Sequence, residues 1–361
     1  MAPVVEALRA RSSEADLRLT LTGQHTTLVD RALATFRMTP DYDLKIMREG
    51  QTLYDVATGC LNGLRGVVQD FRPDAMLLQG DTATVCFGAL VGYFERVRVG
   101  HVEAGLRSHD KWAPFPEEVF RRVADVVSDW YFAPTAGAAA NLRAEGVPPS
   151  GIHVTGNTVV DALLRVAASG GEIEDPVLRD VLASGRKLVL LTAHRRESFG
   201  AQLREVFGAV RRLADERDDI VVVYPVHPNP NVRGPAAELL SEHPRIRLTD
   251  PVGYFDLVAA LRGAALVLTD SGGIQEEAPT FGVPVLVLRE VTERPEGIDA
   301  GAAELVGTDG ARIFARALEV LDGAWTPPAV NPYGDGRAGE RIADILLADL
   351  TGSARRIEDL A

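Results

Sequence analysis

Three carboxylates stand at the ends of apolar runs, where acid–base chemistry would need them. Asp81 follows the run DAMLLQG, Glu103 lies two residues past a second run in HVEAGLR, and Glu117 follows Pro114-Phe115-Pro116. Carboxylates gathered in one place push each other's pKa apart, so that one can serve as base and another as acid near neutral pH. Each also has a plainer reading: Asp81 as the N-cap of a helix over 82–94, Glu103 as a loop acid or partner of Arg107, Glu117 as an acid favoured by a helix's first turn. His194-Arg195-Arg196 follows the apolar run KLVLLT, a corner that suits a diphosphate or an ordinary basic surface. Asp270-Ser271-Gly272-Gly273 joins the run Leu266–Thr269 to a short helix over 274–280. Its glycines would let an anion approach backbone N–H groups at the helix's positive end; otherwise they are a Ser cap and two turn residues. Glu277, further along, suits a diol such as ribose. Arg294 sits in a loop and either reaches the same anion or pairs with Glu290 or Glu296. His227, in YPVHPNPNVR, is a loop-structuring or ligand-binding histidine. No His/Cys/carboxylate set has metal spacing and no GxGxxG precedes an acid, so neither a metal nor a nicotinamide cofactor is expected.

The elements that would carry these residues alternate. Strands are expected at 16–22, 74–79, 97–101, 130–133 and 152–155, with helices at 3–12, 26–36, 51–71, 82–94 and from 116. A second series has strands at 187–192, 220–224, 245–248, 266–269, 285–288 and 302–306, helices between them, and a last helix over 337–350. Such alternation predicts two parallel-sheet α/β domains, with the polar residues at strand carboxyl ends facing one cleft. A domain of this kind opens on a strand, yet the pattern here opens inside a helix; it predicts a strand and a strand-to-helix loop ahead of Met1. With 361 residues and 46% apolar content, two cores are affordable, while a formal charge of −13 argues against nucleic acid or an anionic membrane as partner. Cys60 and Cys86 lie far apart in expected helices, no apolar run spans a bilayer and no signal-peptide pattern is present, which reads as a cytoplasmic chain in a reducing compartment.

The segments QGDTATV, HVEAGLRS, PFPEE, TGNTVVDAL, TAHRRESFG, YPVHPNPNVR, DSGGIQEEAPTFGVPVLVLR, LVGTD and NPYGDG, in this order from Met1 to about residue 347, resemble the non-hydrolysing UDP-N-acetylglucosamine 2-epimerases. The resemblance implies a GT-B-like fold of two Rossmann-like domains: residues 1–156, completed by a C-terminal helix within 337–361, and a UDP-binding domain over 157–336. It implies a cofactor-free homodimer interconverting UDP-GlcNAc and UDP-ManNAc through elimination of UDP to 2-acetamidoglucal and re-addition. On it, Asp81, Glu103, Glu117 and His194 are catalytic. His194, Arg195, Ser271, Gly272, Gly273 and Arg294 hold the diphosphate, and Glu277 the ribose. Gln24, Gln51 and His227 match a site where many members bind a second UDP-GlcNAc as activator; Thr27 and Gly50 replace larger polar groups there, so activation is expected to be weakened. The family also begins with a strand and a GTRPE-type loop ahead of the Met1 segment, whose Arg, with a Lys soon after, contributes to the active site. A natural protein that starts further upstream is therefore expected, or a poorly stable, inactive chain. The rival readings are a 2-epimerase of a diacetamido sugar nucleotide, a GT-B glycosyltransferase and a non-enzymatic nucleotide-sugar binder.

Overall fold

The computed structural model describes residues 1–23, 26–48 and 50–360, the side chains of residues 26–28 and 31 excepted. The chain divides into two compact units: Met1–Ala162 with Gly334–Ala361, and Leu163–Tyr333. Both are built on parallel sheets, as the alternation of elements predicts.

The first unit contains α1 (Ala2–Arg9), β1 (Thr20–Leu21), α2 (Thr26–Thr35), β2 (Tyr42–Asp43), α3 (Leu53–Phe71), β3 (Ala75–Gln79), α4 (Ala83–Phe94), β4 (Arg98–Val102), α5 (Glu117–Val127), β5 (Trp130–Ala133), α6 (Ala136–Ala144) and β6 (Ile152–Val154); α7 (Thr158–Ala168) carries the boundary. Its strands form a parallel four-stranded sheet in the order β3-β4-β5-β6 and a separate parallel pair, β1-β2. The expected strand over 16–22 is thus only two residues long in the structure. A capping box fixes the start of α3: Asp55 N–H donates to Thr52 Oγ1 while the Asp55 carboxylate accepts from Thr52 N–H.

The second unit contains α8 (Pro176–Ala183), β7 (Lys187–Thr192), α9 (Ala201–Glu216), β8 (Ile220–Pro225), α10 (Pro230–Leu240), β9 (Ile246–Thr249), α11 (Tyr254–Gly263), β10 (Ala264–Thr269), α12 (Gly272–Glu277), β11 (Val285–Val287), α13 (Pro295–Asp299), β12 (Ala303–Leu305) and α14 (Gly310–Leu321). Its single sheet runs β12-β11-β10-β7-β8-β9, all parallel. The central strands read KLVLLT, IVVVYP and AALVLT, continuous apolar runs that suit strands covered on both faces. Leu203, Val206, Phe207, Val210 and Leu213, spaced three and four apart, seat one face of α9 in the core.

The last helix, α15 (Ala338–Thr351), belongs to the first unit. Buried Asp161 accepts from the N–H groups of Ala338 (3.2 Å) and Gly339 (2.7 Å) at its start. Gly339 is required there: a Cβ would stand 2.7 Å from the backbone carbon of Pro3 in α1. Among the described residues no helix is long and apolar enough to cross a membrane.

Candidate functional site

In the first unit the acids gather at the carboxyl ends of β3 and β4. Asp81 is not a helix cap, as its plainer reading had it; Thr82 holds the N-cap position of α4, without a side-chain bond. Asp81 instead accepts a hydrogen bond from Arg121, whose other terminal nitrogen donates to Glu118 Oε2 at 3.3 Å. Glu118 is fully buried and also accepts from the N–H groups of Ser108 (3.0 Å) and His109 (3.3 Å), tying the loop after β4 to α5. Half-buried Glu117 opens α5 four residues before Arg121, and therefore on the same helix face. Glu103 has φ +71°, a left-handed conformation rare for a non-glycine residue. Its carboxylate comes within 4.0 Å of where a Cβ on Gly80 would be, which sets it beside Asp81.

A buried ionic chain underlies this corner. His101 Nε2 is 2.8 Å from the Gly80 carbonyl and its Nδ1 is 2.6 Å from Asp125. Burial opposes a charge on His101, but the bond to Asp125, the Asp125 charge, the Gly80 carbonyl and the Glu103 charge together outweigh it and raise the imidazole's pKa. Arg107 closes the chain, donating to Asp125 (2.7 Å) and Glu145 (2.8 Å). The plainer expectation that Arg107 pairs with Glu103 thus gives way to Asp125 and Glu145. With its Nε2 protonated, His101 donates to the Gly80 carbonyl and fixes the peptide leading into Asp81.

In the second unit, Asp270 holds two corners together. One of its oxygens accepts from the N–H groups of His194 (2.6 Å) and Arg195 (2.7 Å), joining the end of β7 to the end of β10. Its other oxygen faces His194 Nδ1 at 3.5 Å, too long for a good hydrogen bond. Ser271 N-caps α12 without a side-chain capping bond, so its hydroxyl is not committed to the helix. Gly272 makes room for Arg294: a Cβ there would lie 2.9 Å from the guanidinium carbon. Arg294 donates to Glu276 (2.7 Å) and lies 3.1 Å from Glu293. Arg195 reaches the same Glu293 at 3.4 Å. The rings of His194 and His227 stack with centroids 5.3 Å apart. Burial raises Glu277 to about 7, although the Tyr254 hydroxyl donates to it at 3.3 Å.

A buried polar ring locks Arg294 to α12. Asn331 Nδ2 donates to the Glu276 carbonyl (2.9 Å) and to Thr280 (2.8 Å), and Asn331 Oδ1 accepts from Tyr333 N–H (2.9 Å). The Tyr333 hydroxyl accepts from Gly297 N–H (2.9 Å) and donates to the Arg294 carbonyl (3.1 Å). The Arg294–Glu276 bond completes the ring.

Of the residues matched to an activator site, Gln24 lies outside the described residues. Half-buried Gln51 accepts from Arg48 N–H ahead of α3 in the first unit, and His227 lies in the second. Among the described residues no group of three or more His, Cys, Asp or Glu side chains is placed to hold a metal. Sequence reading missed Glu118, Arg121, His101, Asp125, Asn331 and Tyr333. The Glu118–Arg121 spacing and the NPYGDG segment were the available signals.

A family model described as UDP-N-acetylglucosamine 2-epimerase matches residues 6–347. The UDP-N-acetylglucosamine 2-epimerase of Bacillus subtilis (strain 168) is 43% identical over 355 residues, 96% of this chain and 91% of that one. Among solved structures, the S. aureus MnaA–UDP complex is similar with a TM-score of 0.87 at 41% identity, covering 100% of this chain and 96% of that one. The Neisseria meningitidis UDP-GlcNAc 2-epimerase bound to UDP-GlcNAc is similar with a TM-score of 0.86 at 36% identity, covering 96% and 95%. An α,α-trehalose 6-phosphate synthase from Burkholderia multivorans shares the fold alone, with a TM-score of 0.52 at 14% identity.

Proposed function

Because this chain belongs to the UDP-N-acetylglucosamine 2-epimerase family, we propose that it interconverts UDP-GlcNAc and UDP-ManNAc by inverting C2, without a cofactor. The C1–O bond to UDP breaks and the C2 proton leaves to a carboxylate, giving UDP and 2-acetamidoglucal. UDP then adds back to C1 as C2 is protonated on the opposite face. Inversion asks for proton donors and acceptors on both faces of the ring, and Asp81, Glu103 and Glu117 supply them. The C2–H has no adjacent carbonyl, so departure of UDP runs ahead of proton removal, and stabilising the diphosphate is the larger catalytic task. His194, Arg195, Arg294, the Ser271 hydroxyl and the amides of Gly272 and Gly273 take that role, with Glu277 on the ribose.

The observation that carries this reading is the guanidinium of Arg294 laid against the Cβ-less first turn of α12, a cation beside free helix amides in a chain of net charge −13. A homodimer is part of the proposal; exposed Tyr93 and Phe94 on α4 and Val126 on α5 are apolar surface of the sort such an interface covers.

Proton NMR of UDP-GlcNAc incubated with the protein in D2O tests the proposal. Deuterium at C2 and a mixture of the two epimers are expected. UDP release that waits for an added sugar acceptor would mark a glycosyltransferase instead, and tight binding without exchange would mark a binding protein.

A further inference from the structure

Asp270 sits just past β10, 1% exposed, and its N–H donates to the Thr192 carbonyl of β7 at 3.0 Å. Its Oδ2 is taken by the N–H groups of His194 and Arg195. Its Oδ1 is buried and accepts no hydrogen bond among the described residues. The Tyr224 hydroxyl, close enough to feel the charge of this acid, donates instead to the Ala193 carbonyl at 2.5 Å. Nδ1 of His194 faces the open oxygen at 3.5 Å. An oxygen left without a donor on a buried carboxylate costs free energy that a nearby N–H recovers.

The surroundings suit His194 to supply that N–H. Its backbone is held on both sides, by Tyr224 on the Ala193 carbonyl and by Asp270 on its own N–H, while its side chain is 40% exposed. Its ring lies within 9° of parallel to that of His227. His227 is itself oriented: its Nδ1 accepts from Asn229 N–H at 3.1 Å, which leaves its proton on Nε2. Against that flat neighbour the His194 ring can turn in its own plane. A small turn brings Nδ1 to about 2.8 Å from Oδ1, the length of a charge-assisted bond. Bonds of this kind are often long in unliganded sites and tighten when the ligand arrives. Nε2, across the ring, points away from Asp270.

We propose that Asp270 is a positioning residue for His194: its open oxygen takes the Nδ1–H, fixes which ring nitrogen carries that proton, and turns Nε2 outward to an anion, which rests on the diphosphate role proposed for His194. When the diphosphate binds, Nε2 takes a proton from solvent. The imidazolium then lies between two anions, Asp270 on one side and the ligand on the other. Its charge meets the negative charge that gathers on UDP as the C1–O bond breaks.

Asp270→Asn tests this by changing the polarity of one atom and keeping the loop. Its amide oxygen still accepts from the His194 and Arg195 N–H groups, while its NH2 faces Nδ1 and imposes the opposite tautomer. Nitrogen NMR of histidine-labelled protein, with His194→Ala to identify the signals, reads the tautomer. Without ligand, Nδ1 should carry a proton in the wild type and none in the variant. With UDP bound, both wild-type nitrogens should be protonated, against Nε2 alone in the variant. UDP affinity by calorimetry should fall about tenfold in Asp270→Asn. In a His194→Ala background the same substitution should change it by less than about twofold. A wild-type Nδ1 without a proton would overturn the proposal. So would an unchanged affinity, or an equal loss in both backgrounds, which would place the effect of Asp270 in the backbone it ties. Should UDP fail to bind the wild type, the proposed ligand falls, and the ligand-free Nδ1 signal still decides the role of Asp270.

Discussion

What faces a carboxyl group decides its work in this protein. Burial pushes Glu277 up to about 7, while Glu293, though burial opposes it, is held at about 2 by Arg294 and Arg289. Because the folded-state value of Glu277 lies above the ordinary 4.5, the folded chain keeps a proton there that the unfolded chain releases between those two values. Stability from this group is intact below pH 4.5 and is lost as pH rises toward 7; the shift is worth up to about 3 kcal/mol. Glu277→Gln is therefore expected to raise the melting temperature at pH 8 and to leave it unchanged at pH 4. On the proposed ribose role of Glu277, UDP affinity should fall about tenfold. Equal melting shifts at both pH values would remove the account of Glu277. Tyr333→Phe deletes the hydroxyl that bonds Gly297 and Arg294, a cost of about 1–3 kcal/mol. Calorimetric titration with UDP should show roughly tenfold weaker binding, whereas Tyr131→Phe, which loses a 2.7 Å bond to Ser128 in the other unit, should leave UDP binding alone.

The elements show what a linear sequence reveals and what it hides. Asp81, Glu103, His194 and Ser271 were legible because apolar runs end just before them and strand ends are where such folds place chemistry. Asn331 and Tyr333 were not, because their partners, Glu276, Thr280, Arg294 and Gly297, lie 36 to 55 residues away in the chain. The helix α6 escaped because AGAAANLRA has almost no apolar stripe; its start is marked only by Thr135, which accepts from Ala138 N–H at 3.1 Å. α8 was hidden behind an acidic loop, although Asp175 followed by Pro176 is an N-cap signal. The strand expected over 16–22 shortens to Thr20–Leu21, which among the described residues pairs with β2. At this scale Gly272→Ala is the informative change. Its methyl meets the flexible end of Arg294, not backbone, so folding should survive with a melting shift under about 3 °C. The guanidinium must move off the first turn of α12, and UDP affinity should drop more than about tenfold. Unchanged affinity would mean that Arg294 does not share the anion with that helix.

Across the whole molecule the sequence carried the class better than the detail. Continuous apolar runs in β7, β8 and β10 gave away a parallel sheet, and two series of alternating elements gave away two units. The net charge of −13 leaves the proposed anionic substrate to local cations, so on that proposal Arg195 and Arg294 act against the field of the rest of the chain. The proposed reaction asks that the diphosphate be held at the start of α12 and that a carboxylate reach C2 of the sugar. A crystal structure with UDP-GlcNAc soaked in tests that most directly. It should show the diphosphate on Arg294, the Ser271 hydroxyl and the amides of Gly272 and Gly273, with a carboxylate of Asp81, Glu103 or Glu117 within hydrogen-bond reach of the sugar ring. A nucleotide bound away from α12, or a sugar beyond the reach of all three acids, would contradict it.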